Sequence, residues 1–119
     1  FANPKMAEFM DAAITEGLNT AGAEEVTAKY RTGERRVERD GSTYLLPTLV
    51  KCPSFQHPLA NREFLFPYAS LVEMPLSQMV EAMGYSLVVT AITRDDKFIA
   101  ELLASPHIDR LNIGPLPTT

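Results

Sequence analysis

The sequence predicts an α/β fold built from parallel-sheet crossover units in a single domain. Three observations lead there. From Phe64 to Ile113 strand-like and helix-like segments alternate in the order strand, helix, strand, helix, strand. One of them, Leu87 to Thr93, is a near-continuous apolar run, as expected of a strand covered on both faces. The chain has 119 residues, 45% apolar and 22% charged, enough for one modest core.

The first element is a helix. Met6, Phe9, Met10, Ala13 and Ile14 recur at the spacing of one helical face. Asn3 can cap it, Pro4 suits its first turn and Gly17 can end it. Leu18 to Glu25 reads as a turn leading to a short strand, Val26 to Tyr30. From Arg31 to Asp40 seven of ten residues are charged with signs interspersed, which predicts a solvated hairpin or loop. Tyr44 to Cys52 reads as extended; Pro47 removes a donor, so that strand should be short or lie at an edge. Cys52 to Asn61, with Pro53 and Pro58, reads as a loop.

The second half is read with sharper punctuation. Phe64 to Met74 is a strand candidate, and Leu76 to Met83 a short helix closed by Gly84. Asp95 or Asp96 begins a helix whose apolar face is Phe98, Ile99, Leu102 and Leu103, and Ser105-Pro106 stops it. Ile108 to Ile113 is the last strand, followed by the Gly114–Pro117 loop.

Charge and cysteine usage exclude several classes. A net charge of −4 leaves no basic excess for nucleic acid. No apolar run reaches the roughly 18–20 residues that span a bilayer. The single cysteine, Cys52, rules out an internal disulfide framework and fits a reducing, cytoplasmic setting. The start, Phe1-Ala2-Asn3-Pro4, has neither an initiator Met nor a signal pattern and reads as cut from a longer chain.

Little in the chain carries obvious chemistry. Cys52 and His57 are close in sequence, but Cys52 is followed by Pro53 and has no helix N-terminus to activate it, so it reads as a structural thiol. One Cys and two scattered His do not make a metal site. His107, after Pro106, reads as a helix-end or turn residue. No phosphate-cradling glycine motif and no Ser–His–Asp set is present. Glu63 stands out as a carboxylate ahead of an apolar strand, at the rim of a sheet where ligands bind in open α/β folds. Its alternative is a surface pair with Arg62 or Lys51, worth at most about 1 kcal/mol.

Four segments in order resemble the NAD(P)-dependent aldehyde dehydrogenase superfamily. Gly41-Ser42-Thr43-Tyr44-Leu45-Leu46-Pro47-Thr48-Leu49 is similar to its G-Y-F/L-x-P-T-I/L/V strand. Glu63-Phe64-Leu65-Phe66-Pro67 stands where the family has E-x-F-G-P. Tyr85-Ser86-Leu87 through Thr93-Arg94-Asp95 resembles Y-G-L…F-T-x-D, and Asp109 to Pro115 resembles the G-x-V-x-I-N strand with its following loop. Leu65 and Phe66 occupy the places of the family's Phe and Gly, and Ser86 that of a Gly, so the resemblance is to a divergent member.

The resemblance implies that residues 1–119 are part of the family's catalytic domain, with the coenzyme-binding domain and the catalytic Cys outside this chain. The family's Cys thiolate adds to an aldehyde, hydride passes to NAD or NADP, and Glu-activated water releases the carboxylic acid. By resemblance Glu63 accepts hydrogen bonds from the nicotinamide ribose, Leu65 lies by the nicotinamide, and Asn112 helps wall the substrate tunnel. Asn112 can equally be a turn-forming strand-end residue. No residue here is assigned as catalytic, and the chain by itself is expected to be inactive. Implied partners are an aldehyde substrate, the nicotinamide cofactor and, at full length, further copies in a homo-oligomer. The alternative is a non-catalytic relative or a small α/β interaction or ligand-binding module, to which the Leu65 and Phe66 departures point.

Overall fold

The computed structural model describes residues 3–117, which fall into two compact units, Phe1–Glu73 and Met74–Thr119. Phe1 and Ala2, on which the reading of a start within a longer chain partly rests, lie outside the described residues.

In the first unit α1 runs Pro4–Leu18, with the Asn3 side chain accepting the Lys5 N–H at 3.1 Å. Its buried residues are Ala7, Met10, Ile14 and Gly17; of the predicted face Met10 and Ile14 are buried and Ala13 half-buried, while Met6 is exposed and Phe9 is 64% exposed. Periodicity found Met10 and Ile14 but set the face too far toward Met6 and Phe9, because Ala7 and Gly17 carry little hydrophobic signal, yet their size is what allows close packing. Gly17 sits within the helix and Asn19 closes it.

β1 is only Glu24–Glu25, and Val26–Tyr30 is a 3₁₀ helix, not the expected strand. The Thr27 hydroxyl contacts Glu25 Oε1 at 3.4 Å and accepts the Leu49 N–H at 3.1 Å, so a side chain replaces a ladder bond. β2 (Arg36–Arg39) and β3 (Ser42–Leu45) form an antiparallel hairpin around Asp40 and Gly41, whose φ values of 52° and 73° suit a tight hairpin turn. The segment ahead of it is not wholly solvated. Arg35 is buried, its Nη1 donating to Asp11 Oδ1 at 2.5 Å and its Nη2 to Glu25 Oε2 at 2.7 Å.

β4 (Thr48–Cys52) pairs antiparallel with β1 and parallel with β5 (Tyr68–Val72), in the order β1-β4-β5. β4 is short, as expected, but central rather than an edge. Pro47 lies in the link between β3 and β4, where no ladder donor is needed. The turns from Pro53 to Asn61 form the expected loop, and they bury His57, Leu59 and Ala60. β5 begins at Tyr68 and ends at Val72, so Phe64 to Pro67, predicted as part of a strand running to Met74, lie outside it.

In the second unit α2 (Leu76–Met83) and the parallel strands β6 (Ser86–Ala91) and β7 (Ile108–Ile113) accompany α3 (Asp96–Ala104). Asp95 caps α3 by accepting the Phe98 N–H at 3.0 Å. Ala91, Phe98 and Leu102 form the core, with Met79, Val89 and Leu111 packed on it. β6 is not covered on both faces within this unit: Leu87 is 78% exposed, and Val88 and Thr90 are half-buried. The architecture is mixed α/β, with parallel pairs β4/β5 and β6/β7; β5 and β6 belong to separate sheets.

Candidate functional site

The segment Arg62 to Pro67 runs from the last turn of the buried loop into β5. Both of its flanks are fastened. The Tyr68 hydroxyl donates to the Leu59 carbonyl at 2.7 Å, and the Ser70 hydroxyl to the Ala60 carbonyl at 2.5 Å. The Thr48 N–H donates to the Pro67 carbonyl at 2.9 Å. Burial, with a smaller contribution from nearby Cys52, pushes the Tyr68 hydroxyl up to about 12, so it stays a donor throughout the neutral range.

Within the segment exposure alternates. Glu63 and Leu65 are exposed while Phe64 and Phe66 are half-buried. Phe64 packs against the cluster of Val50, Cys52, Leu59 and Ala60 and also against that of Ala7, Met10 and Leu45. Its ring meets Tyr68 edge-on at 4.7 Å and Phe66 at 6.1 Å. The half-buried Phe66 ring packs against the Ala7, Met10 and Leu45 cluster. Leu65, 77% exposed, presents an aliphatic surface two positions from the Glu63 carboxylate.

Glu63 makes no hydrogen bond or ion pair among the described residues, and the two cations that could have paired with it are engaged elsewhere. The Arg62 guanidinium lies over the Phe64 ring, 4.9 Å from its centroid. Lys51 Nζ pairs with Glu73 at 3.0 Å. The surface-pair alternative for Glu63 is therefore not what the structure adopts. An ionised carboxylate with its acceptor sites open can take two vicinal hydroxyl donors. A shallow groove of about 310 Å³, lined among others by Pro47, Thr48 and Tyr68, meets the segment only at Pro67 and is not lined by Glu63 or Leu65.

Asn112 belongs to the second unit. Its Nδ2 donates to Thr90 Oγ1 on the paired strand and to the Pro117 carbonyl, both at 3.3 Å, tying the Gly114–Pro117 loop to the sheet. Its amide thus does the structural job that the sequence offered as the alternative. His107 meets the Tyr85 ring at 4.3 Å, and its backbone N–H donates to Ser105 Oγ. The open cleft beside them, about 590 Å³, contains none of Glu63, Leu65 and Asn112.

Cys52 is buried, and burial raises its thiol above the ordinary value, the opposite of an activated nucleophile. His57 is also buried. Its Nδ1 accepts the Leu59 N–H at 3.2 Å, which leaves the ring proton on Nε2, 3.4 Å from the Thr20 carbonyl. Both ring nitrogens thus serve the loop, and no hydrogen bond joins His57 to Cys52. No group of three or more His, Cys, Asp or Glu able to hold a metal occurs among the described residues, and no described helix is long and apolar enough to cross a membrane.

Searches with protein-family models found no match, and no curated protein matches either. Among solved structures, apo betaine aldehyde dehydrogenase from Staphylococcus aureus, in a mutant form, aligns with 96% of the chain at a TM-score of 0.63 and 16% identity. The fold is distantly aldehyde dehydrogenase-like. The chain spans 22% of the length of that enzyme, so the likeness concerns an α/β piece of a larger molecule. The motif sequence missed two features of the site, the Arg62–Phe64 stack and the aromatic packing beneath it. The run Phe64, Phe66, Tyr68 was their only trace in the sequence.

Proposed function

We propose that the chain is part of the catalytic domain of a divergent NAD(P)-dependent aldehyde dehydrogenase, in which Glu63 binds the hydroxyls of the nicotinamide ribose. The observation that carries this reading is an exposed, unpaired carboxylate on a segment anchored at both flanks, in a chain whose fold matches an aldehyde dehydrogenase over nearly its whole length. When bound, the nicotinamide supplies the hydride acceptor for oxidation of the aldehyde. Glu63 would position it, with Leu65 offering apolar contact beside it; neither takes part in bond-making. Asn112 would shape the substrate side through the loop that it holds. No nucleophile is assigned, since the thiol of Cys52 is buried in the core. Assembly of the full-length protein into a homo-oligomer belongs to the same proposal.

The test is Glu63→Gln in the full-length protein. Replacing a charged acceptor by a neutral one should raise KM for the cofactor and slow hydride transfer, by about tenfold if roughly 1.4 kcal/mol is lost. Unchanged kinetics with both NAD and NADP would sink the assignment. A second reading, a non-catalytic relative, is favoured by one observation: Phe66 fills with a ring the place where the family's Gly stands. It predicts no binding of either dinucleotide by the full-length protein.

A further inference from the structure

We infer that Arg62 and Phe64 act together as positioning residues that keep the Glu63 carboxylate open for a hydroxyl-bearing ligand; the ligand's identity rests on the function proposed above, while the control of Glu63 does not. An arginine next in sequence to an acceptor carboxylate is its natural competitor. A bidentate guanidinium would fill the acceptor sites that a ribose diol needs. Here that guanidinium is held on the face of the Phe64 ring at 4.9 Å. The ring is not free to leave, being wedged between two buried clusters and braced edge-on by Tyr68 at 4.7 Å. Tyr68 is itself fixed by its hydrogen bond to the Leu59 carbonyl. The aromatic run thus does two things: it packs the loop, and it holds the cation next in sequence away from the carboxylate. Lys51, the other candidate partner, is retained by Glu73.

The experiment measures how readily Glu63 is labelled by a carbodiimide and an amine in the full-length protein, read by mass spectrometry, beside KM for NAD. Phe64→Met removes the ring while largely filling its volume. It should release Arg62 and lower both Glu63 labelling and cofactor affinity about two- to fivefold, the worth of an exposed cation–π contact. Adding Arg62→Gln to Phe64→Met should restore both, which repair of a packing defect cannot explain, and Phe64→Tyr should behave as the parent. Arg62→Gln alone, at an exposed position, should leave labelling unchanged. The inference is overturned by unchanged labelling in Phe64→Met, by a loss that Arg62→Gln does not restore, or by increased labelling in Arg62→Gln alone. If labelling follows this pattern while Glu63→Gln leaves the kinetics untouched, the ribose assignment fails and the control of Glu63 by Arg62 stands.

Discussion

Arg35→Ala should destabilise the chain by about 3–5 kcal/mol, the loss typical when one member of a buried charge network is removed. Arg35 is 6% exposed and joins three separate parts of the first unit. Nη1 reaches both the backbone carbonyl and Oδ1 of Asp11 on α1, while Nη2 reaches Glu25 at the end of β1. The Arg35 carbonyl accepts the Leu46 N–H at 2.9 Å just beyond β3. Without the guanidinium, Glu25 keeps the Arg31 ion pair and the Thr27 hydroxyl contact, and Asp11 loses its ion pair. Lys should rescue poorly, because a single ammonium cannot reproduce a fork that serves two carboxylates at once. Urea unfolding midpoints at constant m-value check this, and a loss below about 1 kcal/mol would show the network to be no stronger than a surface pair.

The same network sets an acid limit. Burial pushes the Glu25 carboxyl up, but the Arg35 and Arg31 guanidiniums outweigh it and hold the folded value below the ordinary one. A depressed folded value contributes stability that is complete above the unfolded carboxylate value, about 4.5, and is lost as pH falls through the lower folded value. Stability should therefore drop with acid below about pH 4.5, and Glu25→Gln should flatten that limb while lowering stability at neutral pH. Parallel acid limbs in the two proteins would contradict this.

What the sequence reveals is what local chemistry enforces. Asn3-Pro4 starts α1, Asp95 starts α3, and Gly84 and Ser105-Pro106 end their helices, because caps and stops act within a few residues. β7 appears at its predicted bounds for the same reason. The misreadings come from distant partners. Val26-Thr27 looks β-branched and strand-like, but the Thr27 hydroxyl oxygen accepts the Leu49 N–H and the segment winds into a 3₁₀ turn. Arg35 lies in a charge run that reads as solvated, and only Asp11 and Glu25, brought in by the fold, make its burial tolerable. Glu63 was legible as a carboxylate ahead of an apolar run, yet its place is not the mouth of a strand, since β5 starts at Tyr68. Its distinction comes from the motif order and from the absence of a partner, and the second could not be read from sequence. Whether Arg62 turns to the carboxylate or to the ring depends on what holds Phe64.

Leu59→Ala should cost about 2–5 kcal/mol, although Leu59 sits in a turn-rich loop between Pro58 and Ala60 with no hydrophobic periodicity around it. Its side chain is fully buried in the cluster with Val50, Cys52 and Ala60. The partner that makes this possible is Gly17 of α1. A Cβ built there would stand 2.5 Å from Leu59 Cγ, 2.6 Å from Cδ2 and 2.9 Å from Cδ1, closer than carbon atoms can approach. In an ordinary helix interior Gly→Ala gains about 1 kcal/mol. Here Gly17→Ala should instead destabilise, because overpacking costs about 1–3 kcal/mol and a fully buried leucine has nowhere to retreat. The two substitutions then become informative together. With Leu59 cut to Ala, the carbons that clash with the new Cβ are gone, and Gly17→Ala should recover its helix-propensity gain while filling part of the cavity. The double variant should be less destabilised than the sum of the singles by about 1 kcal/mol or more, as befits residues in direct contact. Additivity in a double-mutant cycle, measured by chemical denaturation, would mean that α1 and the loop are not in van der Waals contact at Gly17. The buried face of α1 would then have to be redrawn.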